Sequence, residues 1–294
     1  MPEVSVVIPV FNGATFVSRA IESVLRQTLP DLELVVVDDG STDETPSVVQ
    51  AFTDPRIRYI RQTNQGPSVA RNTGIRATTA PWVAFLDGDD YWLPTKLEAQ
   101  LARARSMPQA GLVYAGGTYR DMSGAVIADM PATVEGDLLP QLLLDNCLAG
   151  STSSAMVRRD VLNKIGLFDE SMSCCEDWEL WLRVANATQI AKVEERLVCI
   201  VNRPGSLNKR ARDVRNVSLD MLKTAFATYG APHSHLRRRA LWNVYRSSAM
   251  THQTHGDTGK ATRDILRAIS YCPHILPTYW SLFRIVTAPL MSRS

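Results

Sequence analysis

The chain contains no Gly-x-Gly-x-x-Gly and no Walker-type phosphate loop, which argues against the common dinucleotide and ATP folds. It also lacks a run of about 18 uninterrupted apolar residues, so no membrane-spanning helix is expected. Met1 leads directly into a strand-like segment without a charged start, an apolar stretch and a small-residue cleavage site, so no secretory leader is expected. The five cysteines, Cys147, Cys174, Cys175, Cys199 and Cys272, are odd in number and show neither Cys-x-x-Cys nor a metal spacing. A reduced, cytoplasmic compartment suits them best. The five histidines lie between His233 and His274 without a familiar metal spacing and read as solvated or core residues. No repeat or low-complexity segment occurs.

Charge is shared unevenly. Residues 200–294 hold 15 Lys/Arg against 4 Asp/Glu, a net of +11, while residues 1–199 hold 17 against 26, a net of −9. A basic section could meet anionic lipid, an acidic acceptor or nucleic acid, or form a solvated helical face that neutralises the acidic part. Nucleic acid is not expected as a partner, because no aromatic interleaving or known motif accompanies the charge. Ile275 to Leu290 is apolar and aromatic but is cut by Pro277, Arg284 and Pro289. It reads either as a peripheral contact at the inner face of a membrane or as packing against the rest of the chain.

The 294 residues allow one large domain or a domain with a sizeable appendage. Val4–Val10, Leu34–Val37, Ile57–Ile60 and Trp82–Leu86 are short β-branched or apolar runs, each followed by a loop and a helical pattern. Helices are expected at Ala14–Gln27, Glu44–Phe52 and Pro67–Thr78, with Asn12 and Ser41–Asp43 as caps. That alternation predicts an α/β fold with a central, mostly parallel sheet covered on both faces. Ligands of such sheets gather beyond the carboxyl ends of the strands, where Asn12, Asp38, Asp39, Asn64 and Asp87 fall. Further on, strands are expected at Leu112–Ala115, Ala125–Ala128, Gln189–Val193 and Leu197–Val201, and helices at Asp137–Cys147 and Glu176–Asn186. Past Asn208 the pattern is mostly helical, with breaks at Tyr229–Pro232 and Cys272–Pro277.

Phe85-Leu-Asp-Gly-Asp-Asp90 places three carboxylates within four positions at the end of an apolar run. Like charges this close raise one another's pKa unless something positive sits among them. An oxygen-only cluster suits Mg2+ or Mn2+, whose open coordination places are commonly filled by water and substrate phosphates. The competing reading is an acidic loop in which Asp90 and Pro94 open the helical segment Thr95–Ser106. In Asp38-Asp39-Gly-Ser-Thr-Asp43, a carboxylate can accept from a base N–H or a ribose hydroxyl, although Ser41–Asp43 also serve as a turn and cap. Arg71, within Ala70-Arg-Asn-Thr-Gly74, offers planar donors to phosphate or a base edge, or is a surface residue. Asp177 falls in the first turn of the helix expected from Glu176, where the dipole keeps a carboxylate ionised and able to take a proton; plain capping is the alternative. Ser151–Ser154 could line a sugar-binding wall or form a polar turn.

In this order, these segments resemble the family 2 glycosyltransferases, which use the glycosyltransferase A fold. The matching residues are Val6-Val-Ile-Pro-Val-Phe-Asn12, Ala20-Ile-Glu-Ser-Val-Leu-Arg-Gln-Thr28, Asp38–Asp43, Asn64-Gln-Gly66 with Ala70–Gly74, Phe85–Asp90 and Glu176-Asp177. The resemblance covers residues 4 to about 206. It implies a catalytic domain over 1–206, with a nucleotide-binding half (1–110) and an acceptor half (111–206), followed by a basic helical extension over 207–294. It further implies that Pro9, Phe11 and Asn12 border the nucleotide base and that Asp39 contacts the pyrimidine. Arg71 would lie beside the base or diphosphate, Asp87 would reach the ribose or a water on the metal, and Asp89 would bind Mn2+ or Mg2+. Asp177 corresponds to the catalytic base, with Glu176 beside it at the nucleotide-sugar. Many relatives carry a histidine after the last strand; Asn202–Asn208 has none, leaving Arg203 as the candidate there. The implied reaction moves a sugar with inversion from a nucleotide-diphosphate donor, favouring UDP, to a glycan or lipid-linked hydroxyl. Phosphoryl or nucleotidyl transfer, and a non-catalytic nucleotide-binding module, are the competing classes.

Overall fold

The computed structural model describes residues 1–203 and 211–291. Two compact units are present: Met1–Leu138 with Cys147–Met172 and Glu179–Pro204, and Leu139–Asn146 with Ser173–Trp178 and Gly205–Ser294. Two short segments of the expected acceptor half, 139–146 and 173–178, thus group with the C-terminal section.

The chain opens as β1 (Val4–Val10), α1 (Val17–Leu25), β2 (Leu32–Asp38), α2 (Thr45–Gln50), β3 (Ile57–Arg61), α3 (Pro67–Arg76) and β4 (Trp82–Phe85). There follow β5 (Tyr91–Trp92), α4 (Lys96–Ser106), β6 (Ala110–Arg120), β7 (Val126–Met130), α5 (Leu139–Leu144), α6 (Ser151–Ser154), β8 (Ala155–Arg158), α7 (Arg159–Ile165), α8 (Glu176–Ala187) and β9 (Gln189–Val201). The C-terminal section holds α9 (Ala211–Thr228), a 3-10 turn at Ala231–Leu236, α10 (Arg237–Thr254), α11 (Thr258–Tyr271) and α12 (Leu276–Met291). None of these helices is long and apolar enough to cross a membrane, among the described residues.

In the first unit the strands form one sheet in the order β3-β2-β1-β4-β8-β6-β9-β5, with β7 paired to β6. The βαβ repeats make β3, β2, β1 and β4 parallel, and every residue of β1 is buried, as a strand covered on both faces requires. One face packs Val6, Ile8 and Val10 with Ala20, Ile21 and Val24 of α1. On the other, Val35 and Val37 meet Ala70 of α3, and a Cβ on Gly74 would lie 2.3 Å from Val7 Cγ1. Only glycine lets α3 approach β1 this closely, which offsets its helix-propensity cost of about 1 kcal/mol.

Several expectations are corrected. Asn12 does not cap α1, which starts at Val17 with no side-chain cap. Asn12 instead sits at φ 49°, where its Oδ1 accepts from Thr42 N at 2.9 Å and ties two loops together. The two strands expected at 189–193 and 197–201 are one strand, β9, whose register against β6 shifts opposite Gly116. The helix expected over 137–147 is confined to Leu139–Leu144. Residues 204–208 of the segment after β9 lie outside the described residues.

In the second unit α9, α10 and α11 meet around Asp264. Its carboxylate accepts both 2.7 and 2.8 Å bonds from Arg215 Nη1 and one at 2.5 Å from Ser248 Oγ. Trp242, Ala249, Ile265, Ala268 and Ile285 form the apolar core beside it, and Trp242 Nε1 donates to Thr278 Oγ1 of α12 at 3.1 Å.

Candidate active site

The carboxyl ends of β1, β2 and β4 deliver the acidic loops to one edge of the first unit. β4 pairs Phe85 with Val7, Leu86 N donates to Val7 O, and the chain then turns through Asp87 to Asp90. Asp87 Oδ1 accepts from Arg71 Nη2 at 2.7 Å, and Thr152 Oγ1 lies 3.2 Å from Oδ2. Asp89 Oδ2 accepts from Arg203 Nε at 2.6 Å, and Nη2 of the same guanidinium lies 2.6 Å away in the ion pair. Asp90 is buried, accepting from Ser153 Oγ at 2.6 Å and from Val201 N at 3.0 Å. The Ser153 hydroxyl also accepts from Asp87 N at 3.1 Å, so one residue of α6 braces both ends of the loop.

The crowding is therefore relieved first by two arginines and a hydroxyl. No group of three or more His, Cys, Asp or Glu residues arranged to hold a metal exists among the described residues. Asp90 neither opens α4 nor faces outward; its buried hydrogen bonds give it a structural part. Burial, then Asp87 and Asp89, push its carboxyl well above the usual range against the opposing Ser153 and Val201 bonds. Asp89 is raised too, by burial and by Asp87, with Arg203 opposing. Its donor chemistry fits a hard divalent cation held by one carboxylate, because such an ion would offset both the desolvation and the repulsion from Asp87.

Arg71 is buried rather than on the surface. Its guanidinium lies 5.4 Å from the centroid of the Phe168 ring, which packs edge-on against Phe85 at 5.2 Å. Asn72 holds that aromatic in place, donating to Phe168 O at 2.9 Å and accepting from Phe168 N at 3.0 Å. Phe168 was not legible as a site residue. The Asn72 amide within α3 is the only sequence hint, a buried amide in a helix that needs partners elsewhere.

The loop after β2 behaves differently. Asp38 is fully buried and accepts from Ser41 N at 2.8 Å and Tyr59 OH at 2.7 Å. Asp39 accepts from Gln62 Nε2 at 2.8 Å and Gln65 N at 3.0 Å on one oxygen, and from Gly66 N at 2.8 Å on the other. Pro9 is buried in β1 opposite Val37, whereas Phe11 is 51% exposed.

Glu176 and Asp177 belong to the second unit. Cys175 enters α8 at φ 62°, and burial pushes its thiol up to about 12. Asp177 lies in the first turn, as expected; its Oδ1 accepts from Trp178 N at 2.7 Å and its Oδ2 from Asn146 Nδ2 at 3.4 Å. Trp178 Nε1 donates to Leu142 O at 2.7 Å, which anchors the start of the helix. A separate open groove of about 810 Å³ is lined by Arg103, Glu135, Lys192 and Glu194 and shares no residue with the acidic loops.

The sequence is similar to an uncharacterized glycosyltransferase of Rickettsia felis, 33% identical over 199 residues that cover 66% of this chain and 32% of that relative. It is 36% identical over 197 residues to the succinoglycan biosynthesis protein ExoO of Rhizobium meliloti, covering 61% of this chain and 55% of that one. The chain spans about a third of the length of the first rickettsial relatives it matches. In fold it is similar to S. aureus TarS 1-349 in complex with UDP-GlcNAc, with a TM-score of 0.60 and 17% identity over 90% of this chain and 89% of that one. It is also similar to the mannosyltransferase PcManGT from Pyrobaculum calidifontis in complex with GDP-Man and Mn2+, with a TM-score of 0.59 and 19% identity over 100% of this chain and 88% of that one. These neighbours show the glycosyltransferase A fold. Residues 5–166 match the family described as Glycosyl transferase family 2, and the chain belongs to that family.

Proposed function

We propose that this chain moves a sugar from a nucleotide-diphosphate donor to an acceptor hydroxyl, with inversion and with a divalent metal held at Asp89. The observation that carries the reading is the desolvated Asp89 carboxylate, set beside Asp87 and Arg71 where β1 and β4 end. UDP is our choice of donor nucleotide, supported by the resemblance and by the TarS structure with UDP-GlcNAc. A bacterial polysaccharide or glycolipid is our choice of acceptor, supported by the name of the succinoglycan relative. A cytoplasmic location completes the reading, and the five cysteines are thiols, as that compartment favours.

In this reading Phe11, exposed beside Pro9 and Asn12, borders the base. Asp39 already holds the backbone of Gln65 and Gly66; three donors on a carboxylate that accepts about four leave a place for a pyrimidine N–H. Asp87 positions Arg71 through their 2.7 Å ion pair, aiming the guanidinium at the donor. A divalent ion, when bound, offsets negative charge growing on the departing diphosphate. Asp177, in the first turn of α8, takes the acceptor's proton as that oxygen attacks the anomeric carbon, while Glu176 contacts the sugar. With one base and no protein nucleophile, a single displacement inverts the anomeric centre.

The reading is tested by thermal melts of the full chain with a panel of nucleotide sugars, with and without Mn2+, alongside Asp177→Asn. A productive donor raises the melting point, EDTA removes that increment, and Asp177→Asn keeps it while losing transfer by about a hundred- to ten-thousandfold. Full turnover by Asp177→Asn, or undiminished donor binding in EDTA, overturns the corresponding role.

A further inference from the structure

We infer that the outward face of α12 is a docking surface for an anionic lipid bilayer. α12 is apolar on two opposite sides. Thr278, Leu282 and Ile285 recur at helical spacing and turn inward: Thr278 and Ile285 are buried, and Leu282 and Ile285 pack against the core of Trp242 and Ile265. Leu276, Trp280 and Phe283 recur on the reverse side and are 76%, 63% and 56% exposed. Tyr279, 42% exposed, lies on one flank of that stripe and Arg284 on the other, given about 100° per residue. The Trp280 and Phe283 rings stack 5.4 Å apart. A soluble helix keeps its outer face polar; this one presents a stacked aromatic pair, each ring more than half exposed.

Charge identifies the occupant. After Asp220 the only acidic residues are Asp257 and Asp264, and each is ion-paired, to Lys260 and Arg215 respectively. The same stretch carries ten Lys/Arg. The exposed triplet Arg237–Arg239 stands beside the start of α12, because Arg238 Nε donates to Tyr271 O at 3.1 Å and Trp242 Nε1 donates to Thr278. Tryptophan, tyrosine and phenylalanine with flanking arginine, free of carboxylates, is the composition that lies in a headgroup layer with its apolar face toward the acyl chains. An acidic protein partner would meet the arginines but leave the aromatic stripe without an apolar counterpart. A bilayer carrying anionic lipid supplies both.

The inference does not rest on the sugar-transfer reading, and its test is a binding measurement on the full chain. Vesicles of phosphatidylcholine with phosphatidylglycerol, and of phosphatidylcholine alone, are floated with wild type, Trp280→Ala/Phe283→Ala and Arg237→Glu/Arg284→Glu. All replaced side chains are exposed, and circular dichroism melts check that the variants fold. Wild type is expected to float with the anionic vesicles, and brominated lipid is expected to quench its fluorescence by an amount that Trp280→Phe removes. Removing the aromatic pair abolishes flotation. Each arginine is worth about fivefold on anionic vesicles, so the arginine double variant weakens binding at least tenfold there, and the gap between it and wild type narrows as salt is raised. Equal flotation of wild type and the aromatic variant overturns the proposal. So does a wild type that ignores vesicles yet sediments as a dimer that Trp280→Ala/Phe283→Ala dissociates, which would make the face a contact between copies of this chain.

Discussion

Asp38-Asp39 and Asp87–Asp90 read alike in the sequence, each an apolar strand running into a knot of carboxylates, yet the protein treats them in opposite ways. After β2 the acids take all their short hydrogen bonds from neutral donors, namely the backbone N–H groups of Ser41, Gln65 and Gly66, the Tyr59 hydroxyl and the Gln62 amide, while the one guanidinium nearby, Arg61, stands 3.6 Å from Asp38. After β4 two of them are met by guanidinium groups and the third is pushed toward protonation. Neutral donors at these distances fix the course of a loop. Guanidinium partners neutralise a loop provisionally, since an ion or a diphosphate can compete for the same groups. The first knot is thus architecture, and the second is a charge centre suited to exchanging partners.

The sharpest test of that contrast is Asp89→Asn. It should cut transfer by roughly a hundred- to thousandfold and remove the metal-dependent part of donor stabilisation, while the apo protein melts no lower than wild type. The pH profile should change with it. Asp89 and Asp90 have raised folded pKa values, so the folded chain keeps protons that the unfolded chain releases near 3.8. Wild-type stability therefore declines as pH rises from about 3.8 through those raised values, and in Asp89→Asn the decline should shrink. A profile identical to wild type would mean that Asp89 does not carry the burden assigned to it.

Asp39→Asn should do the reverse. One amide N–H₂ must face either Gln65 N–H or Gly66 N–H, so stability should fall by about 1–3 kcal/mol, with donor affinity lost as the loop loosens. A variant as stable as wild type would break the distinction between the two loops. Lys96 tests the cost of charge beside the second loop. Its Nζ is buried without a hydrogen-bond partner, 3.7 Å from the Trp92 ring centroid, and burial holds the amine well below its usual value. The unfolded chain binds that proton up to about pH 10.5, so the penalty is present below it and fades as pH rises toward it. Lys96→Met should raise neutral-pH stability by about 1–3 kcal/mol and flatten the rise between pH 7 and 10 in melting curves. The smallest effect belongs to Asp43→Ala, which removes acceptors for Thr45 N and Ala14 N; about 1 kcal/mol is expected.

What could be read from the sequence follows the range of the forces involved. Strand and helix starts in the first 110 residues obey local periodicity, so β1, α3 and α4 fall within a few residues of expectation. Asp177 at the first turn of α8 and Asp87 beyond β4 were legible for the same reason. The burial of Asp90 was not, because it depends on Ser153 and Val201, 63 and 111 residues away. The pairing of Asp89 with Arg203 likewise spans 114 residues. β5 and β8, of two and four residues, have too little length to show a period and exist through their neighbours in the sheet. Glu194, Glu195 and Arg196 interrupt the apolar pattern of β9 at its register shift, which made one strand read as two. Gly256-Asp257 between α10 and α11, a left-handed glycine followed by an Asp that accepts from Lys260 N, is ordinary stop-and-start chemistry that local sequence does carry.

The absent side chain at Gly74 acts as a ruler. It sits three residues beyond Arg71 on α3, and the contact it permits with Val7 sets how far that helix stands from the sheet. A methyl group added there would lift the helix and carry the guanidinium with it, away from Asp87. Laboratory evolution of this protein would therefore find position 74 a remote tuning screw for the Arg71–Asp87 pair, one that shifts its geometry without touching either side chain.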